Sequence, residues 1–248
     1  MTSDLRLLTF DASDPVALAA FWGGVLGREV VPAVSGGRSL VPNSETEFRL
    51  HFQPSDEPKR GPNQMHFDLT SETAEAQAAM VERVLELGGR HLDIGQGPDA
   101  DHVVMADPEG NELCVLPAGN SFTAGCGTIG CLSSDGSMEV GHFWSAVLGW
   151  PLVWDQDEET AIQSPLGGSK ISWGGPPYNA RLGKNRLHLD LVPQADTDLE
   201  SEVARLTALG ATRADIGQGD VAWVVMADPD GNEFCVLPPT FAAPRTQG

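Results

Sequence analysis

Residue types that ligate metals or move protons recur in this chain at one spacing, twice. His66 and Asp68 stand two apart, as do Glu112 and Cys114, and the pairs His188 with Asp190 and Glu233 with Cys235 repeat them. Alternate residues of a strand share a face, so each set would present an imidazole, two carboxyl groups and a thiol to one surface. That inventory suits a general acid/base pair, with His66 and Glu112 as candidates, or a hydrogen-bonding wall for a polar ligand. A buried charge without a partner is costly, so these groups should bond one another, which would favour the protonated imidazole. The network would also fix a sheet without any ligand. Because both sets persist while their aromatic surroundings differ, that structural role is the simpler reading.

The aromatic residues are unevenly placed. Trp144, Trp150, Trp154, Trp173 and Trp223 lie in the second half, and Trp223 takes the place of His102. Trp22 and Trp144 sit on apolar helix stripes and read as core. Trp150, Trp173 and Trp223 are candidates for stacking on a planar ligand, with His102 as the polar counterpart in the first half.

The elements that position these residues are themselves duplicated. Val103–Pro117 (VVMADPEGNELCVLP) returns as Val224–Pro238 (VVMADPDGNEFCVLP), identical at 13 of 15 positions. Upstream, the Phe21-Trp22 and Val25-Leu26-Gly27 residues pair with Phe143-Trp144 and Val147-Leu148-Gly149, and Asn63 and His66 with Asn185 and His188. The constant offset changes by one within the loop 98–101. Residues 1–117 thus form a first domain, 118–126 a linker, 127–238 a second domain and 239–248 a tail. Apolar residues at i, i+3, i+4, i+7 and i+8 predict a helix ending at Gly27 and its copy ending at Gly149. A second pair of helices is expected from about 72 to 87 and from about 197 to 209. Short alternating segments precede and follow each helix, and 107–111 (DPEGN) reads as a hairpin turn.

The FW-x-x-VLG helix, the strand opening at His66 or His188 and the DP-x-GNE-x-CVL ending together resemble the vicinal oxygen chelate superfamily, in its glyoxalase-like or bleomycin-resistance form. The resemblance implies an α+β fold of tandem domains, each of two βαβββ modules with curved mixed sheets around a cavity. In metal-dependent members the ligands come from the first and fourth strands of one module and the corresponding strands of the next. The resemblance places the fifth-strand ligand on His66 and His188, and the eighth-strand ligand, usually glutamate, on Cys114 and Cys235. The first-strand position falls near Leu7 and Ile129, which cannot ligate. The fourth-strand position falls on His51 in the first copy and Ser172 in the second. His51, His66 and Cys114 could therefore form a three-ligand site in the first domain, and its donors would favour zinc over magnesium or calcium.

Two functions follow as expectations. The first is a metal-independent protein that binds an apolar or planar small molecule, such as a natural product or antibiotic. The second is a glyoxalase-like lyase, isomerase or dioxygenase, using that metal or His66 and Glu112. Composition narrows the partners. With 15 Lys and Arg against 35 Asp and Glu, the net charge is −20, the wrong sign for nucleic acid or an anionic membrane. Without a signal-like or membrane-spanning segment, a cytoplasmic location is expected. The four cysteines form no C-x-x-C pair and read as free thiols. The fusion also mimics a subunit pair, so a monomer containing its own pseudo-dimer and a homodimer are both open.

Overall fold

The computed structural model describes residues 2–33, 36–97, 99–194 and 196–241; Pro98 of the offset loop and 242–248 of the tail lie outside it. In chain order the first copy runs β1 (Ser3–Ala12), α1 (Pro15–Leu26), β2 (Val30–Pro32), β3 (Arg38–Leu40), β4 (Leu50–Pro54), β5 (Met65–Leu69), α2 (Ala74–Glu86), β6 (Arg90–His91), β7 (Val103–Ala106) and β8 (Glu112–Val115). The second runs β9 (Ile129–Ser134), α3 (Met138–Leu148), β10 (Leu152–Gln156), β11 (Glu159–Gln163), β12 (Lys170–Trp173), β13 (Leu187–Pro193), α4 (Leu199–Ala208), β14 (Thr212–Arg213), β15 (Val224–Ala227) and β16 (Glu233–Val236). The order is βαβββ four times, as the resemblance implies.

Local chemistry sets the helix ends. The Asp14 carboxylate accepts from Val16 N–H and Ala17 N–H, and Pro15 occupies the first helical turn of α1, where its missing N–H costs nothing. Ser137 caps α3 in the same way. Gly27 and Gly149 close the two helices at φ of 64° and 68°, left-handed values that glycine adopts without a Cβ penalty.

The four modules do not pair within their copies. One eight-stranded sheet has the order β14-β15-β16-β13-β1-β4-β3-β2, and the other β10-β11-β12-β9-β5-β8-β7-β6. The first and last modules therefore share one sheet, and the two middle modules share the other. The seams are antiparallel: β1 with β13, where Thr9 faces His188, and β5 with β9, where His66 faces Ser133. Each concave face is thus built from both copies, a correction to the expectation of one cavity per copy.

Within a copy the modules are held by core packing. Trp22 on α1 meets Phe67 of β5 edge-on at 5.3 Å between centroids, and Phe10 of β1 packs at 5.8 Å from Phe67. The indole N–H of Trp22 donates to Asp107 at 3.1 Å, and Asp107 also accepts from Glu109 N–H, Asn111 N–H and the Asn111 side-chain amide. Trp144 and Asp228 repeat this bond at 3.2 Å. The two most repeated sequence motifs are therefore one structural device, a helix tied to a hairpin turn. Arg186, almost fully buried, ties the copies together by donating to the Asp11 carbonyl at 2.7 Å and to Glu109 at 2.6 Å.

Trp22→Phe removes the indole donor and half of a fully buried ring system, so it should cost about 2–4 kcal/mol, the lost hydrogen bond together with the cavity left behind. Urea unfolding against wild type measures it; an unchanged midpoint would show that the bond contributes nothing. Because each sheet needs both copies, a protease nick within 118–126 should leave one particle of unchanged size by gel filtration under native conditions.

Candidate functional site

The cross-copy seams assemble two related polar clusters. On the first sheet, Thr9 of β1 donates its hydroxyl to Asp190 of β13 at 2.5 Å, and His188 Nε2 stands 3.4 Å from the other oxygen of Asp190. Cys235 of β16 faces Asp190 across a parallel pair. On the second sheet, Ser133 of β9 donates to Asp68 at 2.5 Å, His66 Nε2 lies 3.5 Å from Asp68, and Cys114 of β8 faces Asp68. Alternation along the strands puts each imidazole, carboxylate and thiol on one face, as their i, i+2 spacing requires.

Burial distinguishes the clusters. The His188 side chain is 6% exposed and that of His66 35%. Burial disfavours a charged ring, but Cys235 and Asp190 outweigh it and hold His188 well above its ordinary value. Burial also opposes protonation of His66, yet hydrogen bonds to Asp68 and Cys114 push it up to about 10. The Cys235 thiol is raised by burial, with His188 acting against that shift. The structure thus brings each imidazole beside its aspartate, Asp68 or Asp190, and both imidazoles have their pKa raised, while His188 Nδ1 is buried without a hydrogen-bond partner.

Glutamate does not join them. The Glu112 carboxylate accepts from Lys59 at 2.8 Å and from Asn63 N–H at 3.2 Å, and Glu233 accepts from Asn185 N–H at 3.2 Å. Both clamp the loop that enters the His-bearing strand, so the His66 and Glu112 acid/base pair is not assembled. Nor is the set His51, His66 and Cys114. His51 lies on β4 of the first sheet, whereas His66 and Cys114 lie on the second. His51 instead shares a face with His188, each opposite Thr9. Its Nδ1 is 3.0 Å from the Ser39 hydroxyl, and burial, opposed by Asp190, lowers its pKa.

The first-strand assignment also shifts. Leu7 does stand opposite Asp190, but its equivalent opposite Asp68 is Cys131, not Ile129, which pairs with Leu69. The second copy has two fewer residues between this strand and its helix, so a constant sequence offset misaligns the strand. Thr9, Ser133 and Cys131 were missed for that reason. The Cys131–Ser133 alternation was the available signal. Cys131 donates to Ser172 at 3.2 Å, and burial with nearby Asp68 pushes its thiol to about 12.

A cleft of about 860 Å³ opens over the first cluster. Its walls combine Leu7, Ile216, Val221, Trp223, Leu237 and Phe241 with His51, Gln53, His188, Asp190 and Cys235. Trp223 is half-exposed there. Trp173 is in the hydrophobic core at 2% exposure, a correction to its candidacy as a ligand contact, because Gly141 of α3 and Gly136, just before that helix, pack closely over it. Trp150 packs partly against the core and lines a separate cavity. His102 lies beside Asp101 near the surface at 3.9 Å.

The donor chemistry of both clusters fits a metal of the zinc type. The ligating atoms of His188, Asp190 and Cys235 lie within 4.8 Å of one another, as do those of His66, Asp68 and Cys114. One imidazole, one carboxylate and one thiolate suit a soft, four-coordinate ion with one open position, not magnesium or calcium. All four cysteines are free thiols.

Thr9→Val should remove the one hydroxyl donor to Asp190 and cost about 1–3 kcal/mol, the penalty for stranding a buried acceptor. Ser133→Ala should cost less, since water reaches that cluster. Chemical denaturation of both variants checks the order, and equal losses would contradict it.

Comparison with known proteins agrees with this architecture. The glyoxalase-like domain family matches residues 7–116 and again 131–237. Glyoxalase I from Zea mays superposes with a TM-score of 0.66 at 13% identity, covering 96% of this chain and 93% of that one. A putative dioxygenase from Bacillus subtilis superposes with a TM-score of 0.59 at 13% identity, covering 97% and 86%. At such identity these likenesses speak to the fold alone. No curated protein sequence gives a significant match. Among the described residues no helix is long and apolar enough to cross a membrane. With both halves matched over nearly their full length, the chain belongs to the glyoxalase-like domain family as a tandem duplication.

Proposed function

We propose that this protein binds a small, planar or largely apolar organic molecule in the cleft over His188, without requiring a resident metal. The composition of that cleft carries the reading: an apolar and aromatic wall that includes Trp223 and Phe241 faces the polar His188 cluster, with Asp56, Glu57 and Lys184 also lining it, at a volume ordinary for small-molecule sites. Trp223 offers a stacking face, while His51, Gln53 and the His188–Asp190–Cys235 cluster offer hydrogen bonds that fix orientation. Metal independence is supported by how the polar groups are already engaged. Asp190 accepts from Thr9, and His51 is turned to Ser39. The hydrocarbon side chain of Leu7 occupies the first-strand position.

A second reading, a lyase, isomerase or dioxygenase, is favoured by one observation, the clustering of three ligating atoms. A zinc-type ion held by His188, Asp190 and Cys235 would supply Lewis-acid polarisation of a ligand oxygen. In that reading Thr9 orients Asp190, Leu7 and Phe241 exclude water, and Trp223 positions the ligand.

Two measurements separate the readings. Mass spectrometry of protein purified without an affinity metal should find well under one equivalent of zinc. About one equivalent, lost in Cys235→Ser, would move the enzymatic reading ahead. The planar probe 1-anilinonaphthalene-8-sulfonate should bind with saturable fluorescence that Trp223→Ala weakens about tenfold, the scale of one lost aromatic contact. Trp154→Ala, on the exposed strand β10, is the control; equal affinity in both variants would overturn the assignment of the cleft.

A further inference from the structure

The cleft over His188 is graded in polarity along β1. Leu7, Thr9 and Asp11 share one face of that strand and span about 13 Å at the usual rise per residue. Leu7 belongs to a small apolar cluster with Leu237, Ile216 and Phe241. Thr9 lies between His51 and His188, and Asp11 stands opposite Gln53. One end of the cleft is therefore apolar and the other polar, which fixes the direction in which a bound molecule lies.

At the polar end two side chains are held by one carboxylate. Asp11, almost fully buried, accepts from Lys184 Nζ at 2.6 Å and from Gln53 Nε2 at 2.6 Å, with the Ser55 hydroxyl at 3.4 Å. Lys184 and Gln53 both line the cleft. A carboxylate only accepts, so it decides which way round the Gln53 amide stands. Nε2 turns to Asp11, and Oε1 is left without a partner among the described residues. Lys184 uses one N–H on Asp11 and keeps the others. A free donor and a free acceptor thus stand side by side. The twin seam shows that the fold does not need them. It keeps the aspartate as Asp135, two residues beyond Ser133, but has Gly174 in the place of Gln53 and Pro62 in the place of Lys184. Asp135 accepts from the Asn179 N–H at 2.8 Å instead. Charge narrows the ligand group further. Asp11 already balances Lys184, and Glu57 stands beside Arg60 at 3.7 Å, so the exposed Asp56 leaves this end of the cleft with an excess carboxylate. A ligand carboxylate would be repelled there, whereas a neutral group would not.

We infer that the ligand of this cleft carries a neutral hydrogen-bond acceptor next to a donor, as on the edge of a lactam or imide, and that Lys184 and Gln53 bind that edge. The ligand carbonyl accepts from Lys184 Nζ, the adjacent N–H donates to Gln53 Oε1, and the apolar remainder extends toward Leu7. Asp11 is a positioning residue that acts through both. The inference rests on the reading of the cleft as a small-molecule site and narrows the class of molecule it takes.

The test measures binding of 2-quinolone and 1-methyl-2-quinolone to the full chain by calorimetry, beside 1-anilinonaphthalene-8-sulfonate. Both quinolones are planar and carry the carbonyl, and only the first has the N–H. Wild type should bind 2-quinolone about tenfold more tightly, the scale of one hydrogen bond. Gln53→Leu, which keeps the Lys184–Asp11 pair, should abolish that preference by weakening 2-quinolone alone; this separates a lost hydrogen bond from crowding by the methyl group. Asp11→Asn combined with Lys184→Met removes the ion pair whole, so that no buried charge is stranded, and should weaken both quinolones about tenfold. Trp223→Ala should weaken both without changing their ratio. Arg213→Gln, at the exposed pair with Glu200, should change nothing. Equal affinity of the two quinolones in wild type, or a preference that survives Gln53→Leu, would overturn the assignment of Lys184 and Gln53. Saturable binding of the sulfonate probe without either quinolone would also overturn it while leaving the cleft reading intact, and binding of none of the three would overturn both.

Discussion

Everything else in this molecule depends on the antiparallel pairing of strands from different copies. A βαβββ module leaves its first strand with a free edge, and exposed edges are open to pairing with another chain. Here β1 takes β13 and β5 takes β9, so each free edge is covered by its counterpart in the other half. The short linker between the copies makes that closure intramolecular, which lowers its entropic cost relative to association of separate chains. The result is two continuous eight-stranded sheets whose concave faces belong to neither copy alone.

That arrangement explains why the repeated residues divide into two groups with different physical roles. Trp22, Asp107, Asn111, Asn63 and Glu112, with their equivalents, form the ties inside each copy: indole to turn, turn to loop, loop to strand. They must recur because each copy needs its own ties. The triads His66–Asp68–Cys114 and His188–Asp190–Cys235 recur on the seams, and each takes its hydroxyl donor from the opposite copy. A hydrogen-bonded carboxylate at a strand junction is a strong tether, so the triads contribute to the seam whatever they do for a ligand.

The seams then diverge at equivalent positions that differ between the copies. Thr9 becomes Ser133, Leu7 becomes Cys131, His51 becomes Ser172 and Trp223 stands where His102 does. Those exchanges leave one cluster more buried, beside the apolar and aromatic wall of the cleft, and the other with a more exposed histidine. The first, low-dielectric setting magnifies every polar contact, which is why the candidate site is placed there rather than at its twin.

The sequence by itself determined the duplication, the four modules, the helix ends and the face-sharing of His66 with Asp68 and of His188 with Asp190. Each follows from periodicity, glycine conformation or strand alternation, which act over a few residues. It did not determine which modules pair, because the same edge strand can be covered from either copy and no local pattern distinguishes them. Hence His51 was grouped with His66 rather than His188, and Glu112 with His66 rather than Lys59. Only tertiary structure decided those contacts, along with the burial of Trp173. Register between distant strands is a cooperative outcome of the whole core, and it is written in no single segment.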